Sequence, residues 1–283
     1  MGNCGVRESS QAWMWLCPLI SVFMAVFMGY AFGLSWWTAL LMGALLACPI
    51  YAAWTYLISQ RPLPVPLGPA PITGGTNFNW VAPWYDAWCS AFGLGKGFRK
   101  WILALVELNE GDRVLDVGCG NGVLTHRLAG IVGSSGAAWG IDPAPDMIRA
   151  AMQAPGQARP AAHFELAAIE ALPFEDGSFD AAVISLVLHH LPQDLKTAGL
   201  KEVCRVLKPG GRLFVVEPDR PDHWFWRALL WPGRFYQRFK SHLEGRTPQL
   251  LANAGFSAIA VLGHWHHSIT FWRASKSEVS RDL

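Results

Sequence analysis

The run Val114-Leu115-Asp116-Val117-Gly118-Cys119-Gly120-Asn121-Gly122 constrains the fold more than any other stretch of the 283-residue chain. Its first four residues read as a buried strand that runs directly into a glycine-rich turn. Gly118, Gly120 and Gly122 leave room there for a ligand to lie against bare backbone. Asp116 stands just before the turn, where a carboxylate can face that ligand. The spacing is G-x-G-x-G. A dinucleotide fingerprint would read G-x-G-x-x-G, and a phosphate-binding P-loop would end in Gly-Lys-Ser/Thr.

Strand and helix signals alternate around this turn. Strands are expected at Arg113–Val117, Ala137–Ile141, His163–Leu166, Phe179–Ile184 and Arg212–Glu217. Helices are expected between them at Gly122–Val132, Pro143–Met152 and Gln193–Leu207, with Pro143 in a first helical turn. A helix closing at Leu250–Ala254 with Gly255 as its cap precedes a final antiparallel pair, Ser257–Leu262 and Ser268–Trp272. This alternation predicts a parallel α/β sheet. Ligands bind beyond the carboxyl ends of the strands in such sheets. Asp142 ends the second expected strand 20 residues after Gly122. That is the spacing of the acidic residue that binds ribose hydroxyls in nucleotide-binding units; a turn or cap residue is the plainer alternative.

Four ordered motifs carry a family resemblance over roughly residues 77–217. The glycine turn resembles the first motif of the class I S-adenosylmethionine-dependent methyltransferases. Ile169-Glu170-Ala171-Leu172-Pro173-Phe174 through Asp180 resembles the segment between their third and fourth strands. Ser185-Leu186-Val187-Leu188-His189-His190-Leu191 is similar to a two-histidine variant of that family, and Leu207-Lys208-Pro209-Gly210-Gly211-Arg212-Leu213 to its next signature. Phe78 through Asp86 is similar to the F-x-x-x-A-x-x-Y-D entry segment of the ubiquinone/menaquinone type; an amphipathic helix covering the sheet is the other reading.

The resemblance implies a Rossmann-like, seven-stranded sheet and S-adenosyl-L-methionine as cofactor. Its binding would fall to Tyr85, Asp116, Gly118, Cys119, Gly120, Asn121, Gly122, Asp142, Pro143, Met147, Ile169, Glu170 and Ser185. Asp116 would lie near the donor's ammonium, directly or through water. The family's usual adenine-binding acid is replaced by Ala168, which leaves that contact to backbone, Ile169 or Glu170. His189 and His190 are the candidate catalytic bases, since imidazole titrates near neutral pH; the alternative is that one caps the following helix and the other packs. No metal is called for. His264, His266 and His267 would fall on opposite faces of a strand.

Composition adds a second expectation. The chain is 52% hydrophobic and 16% charged, with 15 tryptophans and a net charge of +2. No strong nucleic-acid field follows from that charge. Six scattered cysteines form no C-x-x-C pair, against a disulfide framework or a structural zinc. No Asp, Glu, Lys, Arg or His occurs between Glu8 and Arg61. The apolar runs 13–32 and 36–58 are each long enough for a membrane helix, with tryptophans near their ends. A two-pass transmembrane hairpin is therefore expected over 1–60, a re-entrant or in-plane hairpin being its rival. A proline-rich linker follows at 61–76 and the methyltransferase domain at 77–283. Positive charges after the second run place the catalytic domain and both termini on the cytoplasmic side. The basic, aromatic stretch from His223 to Lys240 suits a headgroup-level helix or a cap over the acceptor. The combined expectation is a membrane-anchored methyltransferase. Its partners would be the lipid bilayer and a lipophilic small-molecule acceptor: a quinone or isoprenoid, a lipid amine or a hydrophobic thiol. A non-catalytic donor-binding membrane scaffold or sensor is the alternative. Nothing fixes the oligomeric state.

Overall fold

The computed structural model describes residues 92–154, 161–224 and 237–277, together with 71, 73, 82, 85, 89, 90 and 227. All of them belong to the unit Leu63–Leu283. Its described elements, in chain order, are α1 (Lys96–Leu105), β1 (Arg113–Val117), α2 (Val123–Val132), β2 (Ala137–Asp142), α3 (Pro145–Met152), β3 (Ala162–Leu166) and β4 (Phe179–Ser185). A single 3-10 turn (Leu188–His190) follows, then α4 (Gln193–Val206), β5 (Leu207–Pro218), α5 (Gln237–Leu243), α6 (Thr247–Asn253), β6 (Phe256–Trp265) and β7 (Ile269–Lys276).

The seven strands form one sheet in the order β3-β2-β1-β4-β5-β7-β6. β3, β2, β1, β4 and β5 run parallel, and β7 and β6 close the sheet antiparallel. The strand order reverses at β1, which pairs with β2 on one side and β4 on the other. That reversal opens a crevice beyond the strand ends, where α/β sheets bind ligands.

Alternate residues of the same strands feed two cores, one on each face. Leu115, Val117, Ala182, Ile184, Leu213 and Val215 pack with Leu200, Val203 and Val206 of α4 and Leu251 of α6. Val114, Ala181, Val183, Phe214 and Val216 pack with Phe98 and Ile102 of α1 and Leu124 and Leu128 of α2. Burial on both faces explains why β1 and β4 read as nearly unbroken apolar runs.

Several boundaries differ from expectation for identifiable reasons. α3 starts at Pro145, which holds the first helical position, and Pro143 lies before the helix. β5 begins at Leu207 and carries the Lys208-Pro209-Gly210-Gly211 segment as an outward bulge. Phe179 pairs with Leu207 and Ala181 already with Arg212, so four residues bulge out opposite one. His266 and His267 are not strand residues: both take left-handed backbone (φ 46 and 58) in the hairpin between β6 and β7. Among the described residues no cluster of His, Cys, Asp or Glu is arranged to hold a metal.

The membrane expectation is corrected. Among the described residues no helix is long and apolar enough to cross a membrane. The longest, α4, has 14 residues and spans about 21 Å, short of a hydrocarbon core of about 30 Å. The runs 13–32 and 36–58, most of 61–76 and of the entry segment, and residues 225–226 and 228–236 lie outside the described residues. The architecture is thus the seven-stranded sheet with its flanking helices. Membrane anchoring, a bilayer partner and a two-pass location find no support in it.

Candidate active site

A cavity of about 520 Å³ opens beyond the carboxyl ends of the strands, and its walls are mostly apolar. One set of lining residues follows β1, β2 and β3: Gly118, Gly120, Asp142, Met147, Ile169 and Glu170. A second set comes from the loop after β4, the end of β5 and the start of β7, and includes Leu186, His189, His190, Pro218 and Ile269.

The glycine turn is held tightly. Gly118 takes φ +72, and a Cβ there would lie 2.4 Å from Cγ2 of Val187. Gly122 takes φ +75 as the residue capping α2, and its Cβ would meet Ala151 at 2.6 Å. Both positions therefore exclude any side chain. The Ile141 carbonyl accepts from the N–H groups of both Gly118 and Cys119 at 2.8 Å. Gly120 presents its backbone to the cavity beneath Tyr85, whose ring lies 3.4 Å from where a Cβ would stand.

Asp142 ties the turn to the next strand. Its Oδ2 accepts from the Gly120 N–H at 3.0 Å and its Oδ1 from the Ala144 N–H at 2.9 Å. Burial pushes its carboxyl up to about 6 despite those two donors. Each oxygen retains lone-pair capacity toward the cavity. Asp116 is placed differently. It is 2% exposed, does not line the cavity, and accepts from the Thr125 hydroxyl of α2 at 2.6 Å. Burial pushes it up to about 7, the Thr125 bond opposing and Asp142 adding to the rise. Asp116 thus stands behind the turn and not in the cavity wall.

Of the other expected donor residues, Tyr85, Pro143, Met147, Ile169 and Glu170 line the cavity, whereas Cys119, Asn121, Gly122 and Ser185 do not. Tyr85 and Met147 share one small apolar cluster with Ala82 and Ala144, and burial holds the Tyr85 phenol in its neutral form. Ala168 is 3% exposed and offers no acid, but the neighbouring Glu170 brings a buried Oε2 without a hydrogen-bond partner. Among the described residues that acceptor has no partner, so it is open to a donor from a ligand. The loop bearing Glu170 is clamped from α4. Arg205 donates to the carbonyls of Leu172 and Phe174, and Glu202 accepts from the Leu172 N–H.

His189 and His190 stand together on the 3-10 turn, their rings 3.8 Å apart. Pro192 stands at the N-cap of α4 and makes no side-chain cap bond. His189 Nδ1 meets Glu217 Oε2 at 2.7 Å. Glu217 was not singled out from the sequence, because it lies 28 residues away and only the pairing of β4 with β5 brings it here. His190 is pushed down to about 3 by burial and by the adjacent His189, so it is uncharged near neutral pH. Leu186, at the start of this loop, has φ 59, a conformation that persists only where surroundings over-determine it. Here its N–H is fixed to the Val216 carbonyl at 2.8 Å.

The comparisons agree with this geometry. Residues 114–211 match the family model described as a methyltransferase domain. The chain is 36% identical over 149 residues to a demethylmenaquinone methyltransferase of Desulfitobacterium hafniense, covering 51% of this chain and 58% of that protein. It is 37% identical over 207 residues to a ubiquinone/menaquinone biosynthesis C-methyltransferase of Chromobacterium violaceum, covering 64% of this chain and 83% of the relative. A crystal structure of an S-adenosylmethionine-dependent methyltransferase from Methanosarcina mazei superposes with a TM-score of 0.51 at 25% identity, covering 63% of this chain and 98% of that one. The glycine backbone, the carboxylate of Asp142 and the orphaned acceptor of Glu170 fit an adenosine-bearing cofactor, and the cofactor is S-adenosyl-L-methionine. The chain belongs to the class I S-adenosylmethionine-dependent methyltransferases.

Proposed function

We propose that this methyltransferase acts on a small hydrophobic acceptor of the reduced-quinone type. The observation that carries the proposal is the continuity of one cavity. The same space bounded by the glycine turn and Asp142 reaches His189 among the apolar side chains of Leu94, Leu186, Leu191, Phe239 and Ile269. Such a lining favours a flat apolar ring, with an imidazole to receive the proton of one of its hydroxyls. The relatives named for demethylmenaquinone and for ubiquinone/menaquinone biosynthesis support the same acceptor class.

Bound S-adenosyl-L-methionine supplies an electrophilic sulfonium methyl and a neutral thioether leaving group. The chain's own contribution is alignment and exclusion of water. Asp142 accepts the ribose hydroxyls, and Glu170 Oε2 accepts the adenine amine in place of the acid absent at Ala168. Met147 packs against the nucleoside, and the backbone of Gly118 and Gly120 lies along the amino-acid portion. His189 takes the acceptor proton. His190 stays neutral and serves as a hydrogen-bonding wall.

Transfer of labelled methyl from S-adenosyl-L-methionine to a 2-alkyl-1,4-naphthohydroquinone tests this, with an alkyl thiol and a lipid amine in parallel. Turnover is expected with the hydroquinone. Turnover confined to the thiol or the amine overturns the acceptor class.

A further inference from the structure

Glu217 is a wholly buried carboxylate at the carboxyl end of β5, and each of its oxygens is committed. Oε1 accepts from the backbone N–H groups of Val187 and Leu188, both at 2.6 Å, and Oε2 meets Nδ1 of His189 at 2.7 Å. The titratable and charged groups packed around the pair are His190 on the same turn, Arg238 and His242 on α5, and Lys196 on α4. Glu217 is the anion among them. Burial alone would raise its carboxyl, but His189, His242 and the Leu188 N–H hold it down at about 2. An ionised carboxylate only accepts hydrogen bonds, so Nδ1 of His189 must donate.

The ring is also fixed in orientation. Phe239 of α5 meets its face edge-on, with ring centroids 5.6 Å apart, and the Arg238 guanidinium donates to the His190 carbonyl at 3.0 Å. With Nδ1 occupied, the ring nitrogen left to the cavity is Nε2, and it carries the lone pair. Nothing in the donor half of the cavity requires this arrangement.

We propose that Glu217 is the positioning residue for proton removal: it holds His189 as the Nδ1–H tautomer, presents Nε2 to the acceptor, and stabilises the imidazolium formed there. The inference rests on the reading of His189 as the base of methyl transfer. In the step, the acceptor's hydroxyl O–H bond breaks and its proton passes to Nε2. The electron pair left on that oxygen, delivered through the ring carbon beside it, forms the new bond to the methyl carbon, as the carbon–sulfur bond breaks and sulfur keeps its pair; the proton on that ring carbon then moves to the oxygen as the ring regains aromaticity. Charge and electrons balance without an oxidant or reductant: one sulfonium charge is exchanged for one imidazolium proton, which water then removes.

Glu217→Gln separates positioning from mere structure. A glutamine carbonyl still accepts from Val187 and Leu188, while its amide donates to Nδ1 and forces the proton onto Nε2. The full-length variant bound to S-adenosylhomocysteine is expected to show His189 switched from the Nδ1–H to the Nε2–H tautomer in long-range ¹H–¹⁵N spectra. S-adenosylhomocysteine affinity should stay within about twofold of wild type, while kcat falls on the order of 100-fold or more, as when an orienting carboxylate is amidated elsewhere. His189→Gln should lower kcat as far, and the double variant no further. An unchanged tautomer, or kcat within threefold of wild type, overturns the inference. If wild type transfers methyl to no hydroquinone, the acceptor reading fails instead, and the tautomer spectra still decide the role of Glu217.

Discussion

The carboxylate of Asp142 accepts a hydrogen bond from the Gly120 backbone at 3.0 Å, so the end of β2 fastens the turn that follows β1. A residue expected to bind ribose therefore also shapes the cavity floor, and its replacement should act twice. Asp142→Ala leaves the N–H groups of Gly120 and Ala144 without their acceptor, which costs about 1–3 kcal/mol. S-adenosyl-L-methionine affinity measured by calorimetry should fall at least tenfold. Asp142→Asn retains one acceptor oxygen and should fall between the two. Equal affinity in wild type and Asp142→Ala would remove this residue from the donor site.

The buried acid Asp116 makes a signed prediction with pH. Its folded value, about 7, lies above the ordinary 3.8. The unfolded chain therefore releases this proton first, and stability is lost as pH rises from about 4 to about 7. His190 and His242, lowered to about 3 and about 4, oppose that slope between about 4 and 6.5. The contribution of Asp116 is thus read from a difference. Asp116→Asn without ligand should gain stability over wild type progressively from pH 4 to 8, by on the order of 3 kcal/mol at the alkaline end. Chemical denaturation across that range checks it; a difference independent of pH would contradict it. The same variant should bind the cationic donor more weakly at pH 8.

Arg205 reaches across from α4 to the loop that carries Glu170. It donates to two loop carbonyls and pairs with Glu202 and Asp176. Because the ion pairs are partly exposed, the carbonyl bonds should dominate its effect. Arg205→Ala is expected to cost about 1–2 kcal/mol in stability and to weaken donor binding several-fold, with hydrogen exchange rising at Leu172 and Phe174. Faster exchange elsewhere with those amides unchanged would show that the clamp acts otherwise.

Gly118 is the tightest point of the turn. Gly118→Ala places a methyl 2.4 Å from Val187 at φ +72, and should cost about 2–4 kcal/mol and abolish measurable donor binding. Val187→Ala alone should be milder, and the double variant should recover part of the steric loss but none of the backbone strain. Full recovery in the double variant would mean that the left-handed conformation costs nothing here.

Much of the sheet was legible because a doubly covered parallel strand leaves a plain trace. Val114–Val117 and Phe179–Ile184 are apolar on both faces and end at turn signals. β6 and β7 were legible as a pair but short in extent. β6 is an edge strand whose burial does not alternate cleanly, and its register slips near Ala260 and Gly263. The strand was expected only from Arg212, and nothing local shows that pairing already begins at Leu207 and resumes across the Lys208–Gly211 bulge. Asp142 lines the cavity 20 residues after Gly122, a position that strand order and spacing made legible. The facing of Asp116 depended on which core its strand position entered, and Thr125 is its partner only because α2 packs there. Glu217 was invisible as a partner of His189, since sequence distance hides a contact made by neighbouring strands. The membrane expectation came from apolar length, a criterion that the described helices do not meet.

The cavity wall around the glycine turn is drawn, Tyr85 apart, from the stretch between Val117 and Glu170, whereas the opposite wall is gathered from residues as far apart as Phe92 and Ile269. Those two sources are free to change at different rates. Substitutions or insertions after β5 can reshape what the cavity admits without disturbing the bonds that hold Gly120 to Asp142. Descent with a fixed donor and a drifting acceptor is then a property of the chain's wiring, and exchanging the segment after Pro218 between relatives is the natural way to retarget it.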